Sequence, residues 1–262
     1  MQRPFRYELY RKRAPTYAPG MSRNNEWGQP IGPELSGFTP PPAPPRVAFG
    51  GPRVELVPLD AQVHSGALWR ALGPVHPSHW TYLPYGPFEN ESAFRGFLER
   101  SAQSADPLFF SIVDRAAAAP LGLASYLRVQ REHGVVEVGH LSYAPALAHS
   151  PAATEAMHLM MQRAFSLGYR RYEWKCDALH ARSRAAAVRL GFRFEGIFRQ
   201  AIVYKGRSRD TAWYSVIDRD WPAIERVQRA WLAPENFDAE GRQRTRLSEL
   251  TQALAERGPA GA

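Results

Sequence analysis

Hydrophobic and polar residues change rhythm several times along this chain, and each change predicts an element. "VELVPL" (Val54 to Leu59) alternates as a strand does, one side chain in and the next out. Asp60 then stands in an N-cap position, and the three- and four-residue spacing of "AQVHSGALWRALG" predicts a helix stopped by Gly73. "HPSHWTYLPYGPF" (His76 to Phe88) has no period, is broken by prolines and reads as an aromatic loop. Helical spacing returns in "ENESAFRGFLERSAQ", with Phe94, Phe97 and Leu98 on one face. Three apolar runs joined by short turns follow: Leu108 to Arg115, Pro120 to Val129 and Val135 to Ala144. They predict an antiparallel meander.

The longest helical pattern runs from Pro151 to Gly168. Ser150 is suited to cap it, and Pro151 fits N1, where a missing N–H costs little. Ala153, Met157, Met160, Met161, Ala164 and Phe165 share its core face. A strand from Tyr169 to Ala178 comes next, with Tyr172, Trp174 and Cys176 on one side. An alanine-rich short helix then ends at Gly191, a residue suited to a left-handed C′ position. "FRFEGIFRQAIVYK" and "DTAWYSVI" predict a hairpin around Gly206, and "WPAIERVQRAWL" a last helix. A meander followed by a helical crossover to a further strand predicts an α+β fold, a mixed sheet with helices on its faces. Residues 1–47 read as a flexible Pro/Gly-rich extension ending in "TPPPAPP", 48–232 as the folded domain, and 233–262 as a charged, partly helical tail. Met21 opens "MSRNNEWGQP" and is an alternative start to an authentic basic arm over residues 1–20.

Composition narrows the classes. Cys176 is the single cysteine, which excludes an intramolecular disulfide and suits a reducing cytoplasm. No run approaches the roughly 18 uncharged apolar residues of a membrane span, and no apolar leader opens the chain. The formal charge of +8 and pI of about 9.9 bring nucleic acid into consideration. The basic residues are scattered, however, apart from a cluster at Arg3, Arg6, Arg11, Lys12 and Arg13, so no dedicated nucleic-acid site is expected. No strand is followed by G-x-G-x-x-G, and there is no P-loop or G-x-S-x-G. His76 and His79 have H-x-x-H spacing without an acidic or cysteine partner, so no metal is expected there.

"TEA" (Thr154 to Ala156) opening the long helix, "RLGFRFEGIFRQ" (Arg189 to Gln200) and "GRSRDTAWYSVI" (Gly206 to Ile217) carry a resemblance. With the element order, they make residues 54–221 similar to the GNAT superfamily of acetyl-CoA-dependent N-acetyltransferases, in the branch like the ribosomal-protein alanine N-acetyltransferases. The resemblance implies a mostly antiparallel sheet splayed between its fourth and fifth strands. Pantetheine would lie in that wedge along Leu141, Ser142 and Tyr143, with the diphosphate on the helix start at His149, Ser150, Ala152, Ala153 and Thr154. A helix start offers unpaired N–H groups to an anion. The family's Q/R-x-x-G-x-G/A loop is replaced by "AHSPAA", in which Pro151 removes one N–H.

The same resemblance implies an N-x-x-S turn, which here reads His180-Ala181-Arg182-Ser183, and a tyrosine position filled by Ala187. His180 is expected to face the coenzyme. Ser183 is expected to place its hydroxyl at the leaving sulfur, or else to satisfy a local N–H at the helix start. Glu137 and His140 are the candidate bases; their separation of three puts them on opposite faces of a strand. Glu137 is alternatively a buried glutamate paired to an arginine. The N–H near Leu141 is the expected oxyanion donor. Trp80, Tyr82 and Tyr85 would wall the acceptor, or plug the sheet edge. Cys176 alternates with core residues and is read as core rather than as a nucleophile. The acceptor would be a primary amine, of a protein or peptide N-terminus or of a small molecule. A binding module that has lost catalysis is the alternative, and the exposed sheet edge leaves room for a homodimer.

Overall fold

Seven strands form one sheet: β1 (Val54–Pro58), β2 (Leu108–Asp114), β3 (Ala119–Gln130), β4 (Val135–Tyr143), β5 (Arg171–Asp177), β6 (Arg193–Tyr204) and β7 (Arg207–Ile217). The structure, a computed structural model, describes residues 23–257; Met21 and the basic N-terminal cluster lie outside them. A two-residue strand, Phe49–Gly50, edges β1, and the order across the sheet is then β1-β2-β3-β4-β5-β7-β6. Every neighbour is antiparallel except β4 and β5. That one parallel pair needs a crossover, which is α3 (Pro151–Ser166).

The sheet's two faces carry separate cores. On one face Phe109 and Leu123 pack with Leu68 and Leu72 of α1 (Ala61–Leu72) and with Phe94 and Phe97 of α2 (Glu91–Gln103). On the other, Val136, Val138, Tyr172, Trp174 and Tyr214 pack with Met157, Met160 and Met161 of α3 and Ala187 of α4 (Ala181–Arg189). Trp221, Ile224 and Trp231 of α5 (Trp221–Leu232) join that core. The caps follow the sequence. Asp60 accepts from the N–H of Gln62 and Val63, Ser150 from Ala153, and Gly191 takes φ +94°. Glu155, inside the "TEA" stretch, is a staple: its Oε2 accepts from the N–H groups of Arg53 and Val54 at 2.7 and 2.9 Å.

Residues 23–39 form a small unit of their own, with Arg23–Asn24 paired to Pro30–Ile31. From Pro40 onward the chain belongs to the main unit. Residues 41–46, which the Pro-rich composition places in a flexible extension, are fastened there. The Pro41 carbonyl accepts from Arg131, the Pro42 carbonyl from Tyr169, and Arg46 donates to the Ala102 carbonyl. A polyproline segment makes no internal hydrogen bonds, so its carbonyls are free to take these. The charged tail is also anchored: in α6 (Leu247–Arg257), Leu247 is fully buried against the α3-side core. No helix among the described residues is long and apolar enough to cross a membrane.

Candidate active site

β4 and β5 stay paired for four positions only, from Val135↔Arg171 to Val138↔Trp174. Both strands run on past that point, so the sheet opens into a wedge. The cause is in β4. Between Gly139↔Ser125 and Ser142↔Leu123, His140 and Leu141 stand opposite the single residue Ala124. This β-bulge bends the strand away from its partner, and it holds His140 at φ +53°. The Ala144 N–H donates to the Leu121 carbonyl at 2.8 Å. By alternation, Leu141 and Tyr143 turn their backbone groups away from β3 and towards the gap.

The bulge also overturns the expectation that Glu137 and His140 point to opposite faces. Val136 and Val138 face the α3 side, so Glu137 faces the other. The extra residue then brings His140 onto the same face as Glu137, its ring against Tyr85 (centroids 5.6 Å apart) and Phe109 (4.9 Å). Burial lowers the His140 pKa to about 4, so the ring is neutral at physiological pH. Glu137 does have an arginine partner, Arg128 at 3.6 Å, but Lys175 is closer at 2.8 Å. Lys175 also reaches Glu173 at 2.6 Å and lies under the Trp213 ring, 3.8 Å from its centroid. Burial raises the Glu137 pKa above the ordinary value, and the charges of Lys175 and Arg128 oppose that rise.

Ser183 lies on the first turn of α4 and accepts a hydrogen bond from Trp174 Nε1 at 3.0 Å. Next to it, burial pushes the Cys176 thiol up, and a hydrogen bond with Ser183 pulls partly against this. Ala187 is fully buried. His180 caps no N–H of α4; instead its ring stacks on Tyr82 at 4.2 Å and 14°. Ser142 pairs its hydroxyl with His79 Nε2 at 2.8 Å. The three loop aromatics divide. Trp80 is 3% exposed and packs on Tyr85 and Phe88, and Tyr85 packs on Phe97 and His140, so both plug the α1–α2 core. Tyr82 alone stands at the wedge mouth. Lys205, at the β6–β7 turn, donates to the carbonyls of Trp80 (2.7 Å) and Tyr85 (3.1 Å) and ties the hairpin to this loop.

At the start of α3 most expected donors are already engaged. The Ala153 N–H donates to Ser150 Oγ and the Thr154 N–H to the Ser150 carbonyl, while Ser150 Oγ donates to the Leu147 carbonyl. The Ala152 N–H has no partner among the described residues, and His149 is exposed at φ +62°. A residue outside the sequence reading adds charge here: Arg189 of α4 donates to Thr154 Oγ1 at 3.1 Å and lies over Trp231. Its partners are a hydroxyl and a ring, and burial lowers its pKa. Among the described residues no cluster of His, Cys, Asp and Glu could hold a metal ion. His76 Nδ1 accepts from the Ser78 N–H instead.

The acetyltransferase (GNAT) domain family matches residues 53–193. A GCN5-related N-acetyltransferase from Brucella melitensis is 45% identical, with a TM-score of 0.81, over 83% of this chain and 100% of that one. The chain belongs to the GNAT acetyltransferase family. A structure from Chromobacterium violaceum described within the GNAT family is 42% identical (TM-score 0.70) over 74% of this chain and 98% of that one. A microcin self-immunity acetyltransferase, solved in complex with acetyl-CoA and AMP, shares the fold at 20% identity (TM-score 0.58), over 67% and 98% of the two chains. A search of curated proteins returned no significant match.

The splayed sheet with its one parallel pair is thus the GNAT fold. Within it, sequence reasoning missed three residues that the wedge gathers. Lys175 had a signal, since it alternates with Glu173 on β5 and must share its face. For His79 the H-x-x-H spacing points only to a metal ligand. Arg189 precedes Leu190-Gly191 with nothing in the sequence to show that it reaches α3.

Proposed function

We propose that this chain is an N-acetyltransferase that moves the acetyl group of acetyl-CoA directly to a primary amine, with both substrates bound at once. The motifs at 189–217 fit the branch of the ribosomal-protein alanine N-acetyltransferases. The observation that carries this reading is the wedge: β4 leaves β5 after Val138, turns Leu141 and Tyr143 into the gap, and ends beside the start of α3. The residues fit the coenzyme. Leu141 and Tyr143 offer backbone groups to pantetheine, with Ser142 and His180 flanking it. The Ala152 N–H and Arg189 offer a donor and a charge to the diphosphate, on a loop shaped by His149, Ser150, Ala153 and Thr154. The acetyl-CoA complex of the microcin acetyltransferase supports the same choice of ligand.

Bound acetyl-CoA supplies a thioester, so the new N–C bond forms as the C–S bond breaks and the thiolate leaves with the bonding pair. Glu137 takes the proton the amine must lose, through a water. Its raised pKa narrows the gap to the amine, about 8 for an α-amine. The Leu141 N–H faces the charge that develops on the acetyl oxygen. Ser183 accepts from Trp174 and shares a hydrogen bond with Cys176, and its proton turns from Cys176 to the coenzyme sulfur. His140, with a pKa of about 4, is a weak base and serves to shape the bulge. Tyr82, with Trp80 and Tyr85 behind it, borders the acceptor.

Calorimetric titration of acetyl-CoA, followed by turnover with an amine panel, tests this. Micromolar binding with turnover is expected. Binding without turnover would favour a catalytically inactive GNAT-like binding module, and no binding at millimolar ligand would refute the coenzyme reading.

A further inference from the structure

Among the described residues, three hydrogen-bond donors at alternate positions of β7 have no acceptor. Ala212, Tyr214 and Val216 face the α3-side core, so the alternate residues Arg209, Thr211 and Trp213 face the opposite side, with Glu137 and Lys175. Strand pairing sets Thr211 beside Asp177 and Trp213 beside Lys175, at the end of β5 that borders the wedge. Thr211 is 2% exposed, and its Oγ1 makes no hydrogen bond. The same is true of Trp213 Nε1 and Arg209 Nε, each closed off from water.

Nearby acids do not serve them. The Asp177 carboxylate accepts from the Leu179 N–H and the Tyr204 hydroxyl, and Glu195 from Arg171 and Ser215. A buried donor without an acceptor forfeits its hydration with no return, so three at alternate positions of one strand are a poor arrangement for stability alone. They suit a ligand that brings oxygen atoms.

We infer that Arg209, Thr211 and Trp213 form an oxygen-binding subsite for the acceptor, taking a carbonyl or carboxylate close to its amine while the nitrogen turns to the wedge. This rests on the acetyltransferase reading above and narrows its acceptor to compounds with an α-amino acyl end. A polyamine brings donors to donors, and an alkylamine brings nothing for them to bind. The α1–α2 loop closes this side through the Tyr82–His180 stack and the Lys205 bonds, so the acceptor reaches the subsite as those ties open.

The test is a matched set of acceptors: L-alanyl-L-alanine, L-alanine, isopropylamine (alanine with a methyl in place of its carboxylate) and spermidine. Calorimetry with acetyl-CoA comes first, then initial rates. The dipeptide or the amino acid should exceed isopropylamine and spermidine in kcat/KM by roughly tenfold or more; which of the two leads tells a peptide carbonyl from a free carboxylate. Thr211→Val, which keeps the shape, should raise KM for the better of them roughly five- to tenfold, the worth of one hydrogen bond, with kcat little changed. Trp213→Phe should act in the same direction. If acetyl-CoA binds but isopropylamine or spermidine does as well, if no member of the set is acetylated, or if Thr211→Val leaves KM alone, the subsite is wrong. Failure to bind acetyl-CoA would instead overturn the acetyltransferase reading, and this inference with it.

Discussion

Replacing the buried Lys175 by Met should strongly destabilise this protein. Lys175 sits 2.8 Å from Glu137 and 2.6 Å from Glu173, and all three side chains are almost fully buried. Glu173 would keep Arg171 at 2.6 Å. Glu137 would keep only Arg128, at 3.6 Å on a largely exposed side chain. One buried carboxylate therefore loses its partner, at a cost of about 3–5 kcal/mol near neutral pH. At about 2–4 °C per kcal/mol for a chain of this size, Tm should fall by about 6–20 °C. The pH dependence has a definite sign. Burial already raises Glu137, and loss of Lys175 raises it further. A carboxyl whose folded pKa exceeds its unfolded value of about 4.3 contributes fully below that value and loses its contribution as pH rises through the folded one. Thermal melts of both proteins at pH 7.5 and pH 5 should thus show a gap that narrows on acidification. Adding Glu137→Gln should recover most of the loss, since it removes the stranded charge. A gap below 1 kcal/mol at pH 7.5, or one that widens towards pH 5, would refute the reasoning.

The other predictions concern the ligand and the histidines. Arg189→Met should weaken acetyl-CoA by about tenfold or more in calorimetry, the worth of a charge-assisted hydrogen bond, and should flatten the salt dependence of binding; an unchanged Kd would remove Arg189 from the diphosphate site. Ser183→Ala should lower kcat while leaving the Kd for acetyl-CoA within about threefold, and equal turnover would end its role at the sulfur. His140 has a depressed folded pKa, so its contribution is present above about 6.5 and is lost as pH falls through about 4. His140→Phe should therefore flatten the fall in Tm over that range; His64, His79, His158 and His180, lowered by burial in the same way, and Glu195, lowered by Arg171 and Ser215, contribute to what remains.

Local signals carried the fold well. Strand alternation, Asp60 and Ser150 at helix starts and Gly191 at a helix end are each set by neighbours in sequence, and they appear in the structure as read. The site was less legible because its decisive feature breaks alternation. A bulge adds one residue, and nothing in "VEVGHLSY" marks His140 as the residue held in a left-handed conformation. Everything after it changes face, which is why Glu137 and His140 were expected apart. The long-range ties were hidden for another reason. Tyr82 meets His180 across about a hundred positions, Arg189 meets Thr154 across helices, and Lys205 meets carbonyls whose positions follow from no side-chain pattern.

A sheet that parts after Val138 and Trp174 also has two unfinished edges in its interior. Unpaired strand edges commonly recruit other chains, and the usual defences are charges, prolines or a covering loop on the outside. Here the exposed backbone of β4 faces inward, between helices and beneath the Tyr82 loop. A polypeptide brings side chains on both sides of its backbone, so the gap suits a thin, unbranched chain better. An edge placed inside the sheet is thus shielded by its position, without the charges or prolines that an outer edge needs.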